Sequence, residues 1–224
     1  MPNYTRIGSF YSGSRIAPSL PPQPIDAVAP GKSHYFIKRG VDIAGSLLLL
    51  LVLSWLLPLI ALLIKSDSAG GVFFRQKRVG KGGRLFMCYK FRTMVENKEA
   101  DQLQATKDDP RITRLGKWLR RSNIDELPQL INVLAGDMSL VGPRPHMPAD
   151  WERFASLVPG YAFRNQVKPG ITGLAQVKGY HGPSPDYESI FRRYQWDAFY
   201  IRNAGIGLDI RIMILTAVQR LAFI

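Results

Sequence analysis

Residues 43–64 read IAGSLLLLLVLSWLLPLIALLI, a run of 22 residues without a charged side chain, bracketed by Asp42 and Lys65. About 20 apolar residues suffice to cross the hydrocarbon core of a bilayer. A helix of a soluble protein normally keeps one polar face toward water, so the run predicts a membrane-inserted helix. Pro58 lies inside it, where it removes a backbone donor and its ring meets the carbonyl of Ser54. The Ser54 hydroxyl lies beside that disturbed turn and can satisfy the freed backbone. Basic residues flank both ends: Lys32, Lys38 and Arg39 before, Lys65, Arg75, Lys77 and Arg78 after. Lys and Arg near membrane segments favour the cytoplasmic side, so both ends are expected there. A helix hinged at Ser54 and Pro58 that enters and leaves by one leaflet accommodates both observations; a kinked span is the alternative.

The rest of the chain sorts around this run. Residues 1–35 form a tail rich in Pro, Ser and Gly, with Pro21, Pro22, Pro24 and Pro30 close together. Such a composition buries too little apolar surface to offset the entropy of ordering, so a flexible segment is expected. The tail lacks the pattern of a signal peptide. Residues 36–66 hold the membrane hairpin, and residues 67–224 a cytoplasmic domain. There, 72–74 and 85–89 read as short strands, and Gly80-Lys81-Gly82-Gly83 suits the hairpin turn between them. Helical patterns follow near 95–103, 113–121, 126–134 and 151–157. The last stretch, 206–224, is mostly apolar, with Asp209, Arg211, Gln219 and Arg220 as interruptions. It suits a membrane interface and a protein core equally. The expected fold class is α+β and mostly helical: a re-entrant membrane helix, then a small catalytic domain with a short β-hairpin and amphipathic interface helices.

The formal net charge of +13 and a pI of about 10.1 point to nucleic acid, an anionic membrane surface or a phosphate-rich substrate. A hydrophobic content of 46% is that of a globular protein, neither a disordered nor a polytopic membrane chain. The single cysteine, Cys88, excludes an internal disulfide. Between Met87 and Tyr89 it reads as a buried, inert thiol.

Ser122-Asn123-Ile124-Asp125-Glu126-Leu127-Pro128-Gln129 sets two carboxylates side by side ahead of a helical pattern. Proline is tolerated only in the first turn of a helix, so the helix is expected to start near Asp125, with Asp125 as its N-cap. Read alone, the pair serves helix capping well. The same position would keep a carboxylate ionised, as a nucleophile or metal ligand must be. Basic residues crowd the flanking segments: Arg75, Arg78, Lys90, Arg92, Arg111, Arg114, Lys117, Arg120, Arg121 and Arg144. Lys90 and Arg92 alternate with Phe91 and can project from one strand face. Gly142-Pro143-Arg144-Pro145 is a stiff turn presenting one guanidinium, suited to bidentate phosphate binding. Carboxylates among fixed cations are what phosphoryl transfer requires.

Five segments together resemble the monotopic polyprenyl-phosphate phosphoglycosyl transferases, or bacterial sugar transferases: Phe74-Arg75-Gln76-Lys77-Arg78-Val79-Gly80; Lys90-Phe91-Arg92-Thr93-Met94; Asp125-Glu126-Leu127-Pro128-Gln129; Asp137-Met138-Ser139-Leu140-Val141-Gly142-Pro143-Arg144-Pro145; and Lys168-Pro169-Gly170-Ile171-Thr172-Gly173. The resemblance covers about residues 36–218. It implies that Asp125 attacks the β-phosphate of a UDP-sugar, releases UMP and carries the phosphosugar covalently until undecaprenyl phosphate takes it. Glu126 would bind Mg²⁺. Phosphate contacts would fall on Lys90, Arg120 and Arg144, with Arg75, Arg78 and Arg92 as further candidates, and Asp197 would assist. The implied place is the cytoplasmic face of the bacterial inner membrane, among membrane lipids, in a short catalytic form that starts exopolysaccharide, capsule or O-antigen repeat units. A homo-oligomer is among the open readings. Two positions depart from the pattern: Leu57 stands where the family often has Ser before the proline, and Asn123 where Ser is usual. The sugar stays open among glucose, galactose and the N-acetylhexosamines.

The rival class is a membrane-tethered basic protein that binds nucleic acid or serves as a scaffold. Aromatics for base stacking are not arrayed beside the basic residues. One Cys and three scattered His (His34, His146, His181) make no zinc pattern. No nucleic-acid partner is therefore expected.

Overall fold

The apolar run breaks before Pro58, not at it. In a computed structural model, which describes residues 32–95, 109–182, 184 and 186–221, the run forms two helices. These are α1 (Lys32–Val52) and α2 (Leu56–Asp67), bent by 64° across a three-residue turn. Of the expected hinge, Ser54 lies within this turn, whereas Pro58 does not, being the third residue of α2. A helix leaves its first four N–H groups without intrahelical partners, so a proline there removes nothing. The chain restarts accordingly, with the Leu56 and Leu57 N–H groups donating to the Leu53 carbonyl at 2.9 and 3.1 Å. The Ser54 hydroxyl makes no hydrogen bond among the described residues. No single described helix is long and apolar enough to cross a membrane; the bent pair together has the length and composition for it.

Both arms carry apolar side chains outward. Leu48, Leu51 and Trp55 are exposed, and so is Leu62. The inner face of α2 is different: Ile60 and Ile64 are buried against Phe91 and Leu119. The beginning of α1 is fastened to the domain by polar groups. Asp42 accepts hydrogen bonds from the Ser139 hydroxyl and the Leu140 N–H, both at 2.9 Å. Lys38 pairs with Asp209 at 2.8 Å.

The hairpin follows as β1 (Phe73–Val79) and β2 (Leu85–Phe91), antiparallel, with Phe74 opposite Lys90 and Gln76 opposite Cys88. Both strands run beyond the predicted limits. Gly82 and Gly83 in the turn take φ of 66° and 77°, a left-handed region open to glycine. Cys88 is buried, as the sequence indicates. Next come α3 (Arg114–Ser122), capped by the Thr113 hydroxyl accepting from Gly116 N–H at 2.9 Å, and α4 (Gln129–Ala135). Arg39 of α1 donates to the Val133 and Leu134 carbonyls at 2.6 and 2.9 Å, which closes the end of α4.

The sequence reading did not anticipate a parallel pair, β3 (Ser139–Val141) with β4 (Gly170–Thr172). Between them lies α5 (Pro148–Leu157), three residues longer at its start than the predicted 151–157. Then come α6 (Leu174–Val177), α7 (Tyr187–Arg202), also unanticipated, and α8 (Ile206–Leu221). Val133, Met138, Val141 and Ile212 anchor the main core. Thus α8 gives one face to that core while Ile210, Ile214 and Val218 stay exposed. The tail before residue 32 and the helix expected beyond Val95 fall outside the described residues.

Parallel pairing at β3 and β4 brings bare backbones together. A Cβ on Gly142 would stand 2.4 Å from the Lys168 carbonyl oxygen and 2.9 Å from the Gly170 nitrogen. Backbone cannot step aside as a flexible side chain can, and overpacking of this kind costs about 1–3 kcal/mol. Gly142→Ala is therefore expected to lower the thermal unfolding midpoint by several degrees, while Gly40→Ala, with open space around its Cβ, leaves it within a degree or two.

Candidate functional site

The carboxylate pair lies in the connection between α3 and α4. Asn123 ends α3 in the left-handed conformation, with φ 56° and ψ 18°, and is the one non-glycine residue of positive φ among those described. This reverses the chain into a tight turn, Ile124–Glu126, closed by Glu126 N–H to the Asn123 carbonyl at 3.1 Å. Asp125 is therefore not the N-cap of α4, as the sequence suggested. That helix begins at Gln129, after Pro128, without a side-chain cap. Asn123 supplies the reason: its left-handed turn puts both carboxylates inside a bend rather than at a helix entrance.

Both carboxylates are buried, Asp125 to 6% and Glu126 to 7% exposure, yet their surroundings differ. Glu126 is clamped. Its Oε1 accepts from Lys90 Nζ at 2.6 Å and Arg144 Nη2 at 2.5 Å, and its Oε2 from Arg144 Nη1 at 3.0 Å. Burial alone would raise its pKa, but the Arg144 and Lys90 charges hold it well below the usual carboxylate range. Asp125 makes no hydrogen bond or ion pair among the described residues. Burial pushes its carboxyl up to about 6, the Lys90 charge pulls the other way, and the neighbouring Glu126 carboxylate adds to the rise. Asp125 is thus ionised at neutral pH but with a raised pKa, instead of being held low by a helix terminus.

Among the predicted phosphate ligands, three surround this pair. Lys90 arrives on β2 and Arg144 on the loop after β3. Arg120, on the last turn of α3, donates through Nε to the Thr93 hydroxyl at 2.8 Å and feels the Asp125 charge. The others lie elsewhere. Arg92 is buried and donates to the Ile64, Ser68 and Ala69 carbonyls, so it closes the end of α2 instead of sharing a face with Lys90. Arg75 is exposed opposite Tyr89, and strand alternation turns it away from the face that holds Lys90. Arg78 reaches the Pro145 carbonyl at 3.4 Å and Gln76 Oε1 at 2.5 Å, bracing the loop of Arg144. Asp197 is buried on α7 and accepts twice from Arg164, at 2.8 and 3.1 Å. Arg164 donates on to the Arg144 carbonyl at 2.8 Å, so Asp197 acts on the site through Arg144's backbone.

That supporting shell was invisible in the sequence. His146 is buried beside Tyr161 Oη at 2.9 Å and Arg164 Nη1 at 3.3 Å. Burial, with Arg164 and Arg193 nearby, keeps its pKa well below the usual histidine range, so the ring is neutral. Arg164 sits in Tyr161–Gln166, a run without periodicity, and no local pattern marks it.

From Glu126 an apolar cleft of about 440 Å³ runs past Leu127, Leu130 and Ile171 to Leu49 of α1 and Met213 of α8. The described residues contain no group of three or more His, Cys, Asp or Glu able to hold a metal alone. Two adjacent carboxylates do match Mg²⁺, which binds through one or two carboxylates plus substrate phosphates. Asp125 is unengaged, and Glu126 Oε2 accepts only one hydrogen bond, so the pair has lone pairs to offer.

The family described as bacterial sugar transferase matches residues 33–222. The chain belongs to that family. It is 47% identical over 180 residues to a UDP-glucose:undecaprenyl-phosphate glucose-1-phosphate transferase of Klebsiella pneumoniae, covering 80% of this chain and 39% of the relative. A UDP-N-acetylgalactosamine-undecaprenyl-phosphate N-acetylgalactosaminephosphotransferase of Aeromonas hydrophila is 43% identical over 193 residues, 86% of this chain and 45% of the relative. An exopolysaccharide production protein of Rhizobium leguminosarum bv. phaseoli is 46% identical over 190 residues, 83% of this chain and 95% of the relative. The chain thus spans about two fifths of the first relative (39%) and nearly all of the third (95%). Three of the five segments that carry the resemblance supply Lys90, the carboxylate pair and Arg144.

A raised carboxyl pKa has a sign. The folded chain holds the Asp125 proton more tightly than the unfolded chain, so ionised Asp125 destabilises the fold. The cost grows from pH 3.8 to about 6 and stays constant above. A shift of that size corresponds to roughly 3 kcal/mol. Asp125→Asn is expected to raise the unfolding midpoint at pH 7.5, with the advantage vanishing below pH 4; an advantage independent of pH would contradict the assignment.

Proposed function

We propose that the chain transfers a sugar-1-phosphate from a UDP-sugar to undecaprenyl phosphate, releasing UMP, at an early membrane step of polysaccharide repeat-unit assembly. One observation carries this reading. Of two adjacent buried carboxylates, Glu126 is clamped by Lys90 and Arg144 with a lone pair left on Oε2, while Asp125 makes no hydrogen bond or ion pair among the described residues and has a pKa of about 6. A carboxylate that is ionised at neutral pH but still basic suits a nucleophile. In the first step an Asp125 oxygen attacks the β-phosphorus, the bond to the α-phosphate oxygen breaks, and UMP leaves with the electron pair. In the second, a phosphate oxygen of undecaprenyl phosphate attacks the same phosphorus and the Asp125 carboxylate is restored. Lys90, Arg144 and Arg120 offset charge on the phosphoryl oxygens. Mg²⁺ held through Glu126 and the donor phosphates would supply further neutralisation of the leaving UMP.

The apolar hairpin enters the cytoplasmic leaflet and returns through it, which places the domain on the cytoplasmic face of a bacterial inner membrane. The 64° bend, the outward leucines of both arms and the basic flanks support this reading. The cleft from Glu126 to Leu49 offers the polyprenyl chain an apolar path. The names of the relatives support the substrate classes and differ in the sugar, glucose in one and N-acetylgalactosamine in another.

With Mg²⁺, undecaprenyl phosphate and a panel of UDP-sugars, the full chain is expected to release UMP from at least one donor. Asp125→Asn abolishes both turnover and the phosphosugar adduct seen by intact-protein mass spectrometry. Adduct formation should fall about tenfold per pH unit below about pH 6, as Asp125 takes up its proton. An adduct that survives Asp125→Asn removes it as the nucleophile. Topology has its own check. Cysteines introduced by Ile37→Cys and Ser66→Cys should both react with an impermeant reagent from the cytoplasmic side only; reaction on opposite sides would show a span.

A further inference from the structure

A second pocket, of about 110 Å³, opens beside the start of α1 and shares no lining residue with the cleft at Glu126. Its wall carries four cations, Lys38, Arg39, Lys81 and Lys168. Two are committed, Lys38 to Asp209 and Arg39 to the carbonyls ending α4. Lys81, from the hairpin turn, and Lys168, from the segment before β4, have no carboxylate partner among the described residues. Their ammonium groups stand 5.1 and 5.9 Å from the centre of one ring, that of Tyr35. Asp42, the one carboxylate lining the pocket among the described residues, is already taken by Ser139 and Leu140.

Three segments distant in sequence thus direct two uncompensated ammonium groups to one tyrosine. A cation over an aromatic ring gains about 0.5–1 kcal/mol at an exposed site, and this does not remove the repulsion between like charges. An anion between them does. The position identifies its source. Phe36 and Ile37, next along α1, are 73% and 58% exposed, so the pocket adjoins apolar surface that faces away from the domain. Tyrosine and lysine beside such surface are the residues found at headgroup depth, where basic pockets take lipid phosphates. We infer that this pocket binds the phosphate of an anionic phospholipid headgroup. The inference rests on the reading that α1 enters the bilayer, and the site would fix how the domain sits on the leaflet.

The test uses the full chain in neutral detergent micelles, titrated with dioctanoyl phosphatidylglycerol, dioctanoyl phosphatidylcholine and inorganic phosphate, with binding followed by calorimetry. Phosphatidylglycerol should bind at least tenfold more tightly than phosphatidylcholine. The double variant Lys81→Ala, Lys168→Ala should erase that preference, while Lys81→Arg, Lys168→Arg keeps it and controls for folding. Equal binding of the two lipids, or a preference that survives the double alanine variant, overturns the site. Inorganic phosphate binding as tightly as phosphatidylglycerol overturns the lipid assignment in favour of a free anion. The measurement is independent of topology. A preference for phosphatidylglycerol in a chain whose introduced cysteines label on opposite sides refutes the re-entrant reading alone. Correct labelling without a preference refutes the site alone.

Discussion

Glu126 is where three pieces of chain are tied into one site. Its carboxylate takes Lys90 from the hairpin and both arms of the Arg144 guanidinium from the loop after β3, and it rides on the turn between two helices. An isolated carboxylate at 7% exposure would be costly, and so would either cation without it. Each therefore holds the others in place. The balance is uneven, with two cations against one ionised carboxylate, and the surplus positive charge lies beside Asp125. Arg144 is braced from behind as well, since Arg164 holds its carbonyl and Asp197 holds Arg164.

Asp125 and Glu126 are neighbours with similar burial, and their protons behave in opposite ways. The difference arises from partners, not from position in the chain. Glu126 collects two charge-assisted contacts, which more than cancel its desolvation; Asp125 feels the same cations at a greater remove, and desolvation wins. Pairs of titratable groups pushed apart by their surroundings mark a division of chemical labour. Here one carboxylate is fixed by two cations and the other is left without a partner among the described residues.

Much of this could be read in the sequence where the signal is local. The 22-residue uncharged run, the glycine-rich hairpin turn, the helical pattern at 113–121 and the amphipathic stretch from 206 all have counterparts among the described elements. Lys90, Arg120, Arg144 and the carboxylate pair do converge. What failed was decided by tertiary contact or by one residue's conformation. Ser139-Leu140-Val141 is buried on both faces and too short to alternate, so its pairing with Gly170-Ile171-Thr172 left no pattern. Asn123 entering the left-handed region moved Asp125 out of a helix entrance. Lys90 and Arg92 alternate with Phe91 as residues of one strand face would, but β2 stops at Phe91 and Arg92 turns to the carbonyls that end α2. Arg164 and His146 belong to a buried polar cluster built from three separate segments, which no single window of sequence displays.

Asp42 stands alone as an acid at the mouth of an apolar helix, and its hydrogen bonds go to the first residues of β3. Three residues beyond β3 stands Arg144. On the proposed topology, the element that enters lipid and the guanidinium that meets phosphate belong to one stiff lever a few residues long. The altitude of the reacting phosphorus above the hydrocarbon is then a built-in dimension of the protein, indifferent to ripples of the membrane beneath it. For the proposed reaction, a donor that wanders in water and an acceptor moored by its tail would meet only in the thin slab that this lever defines.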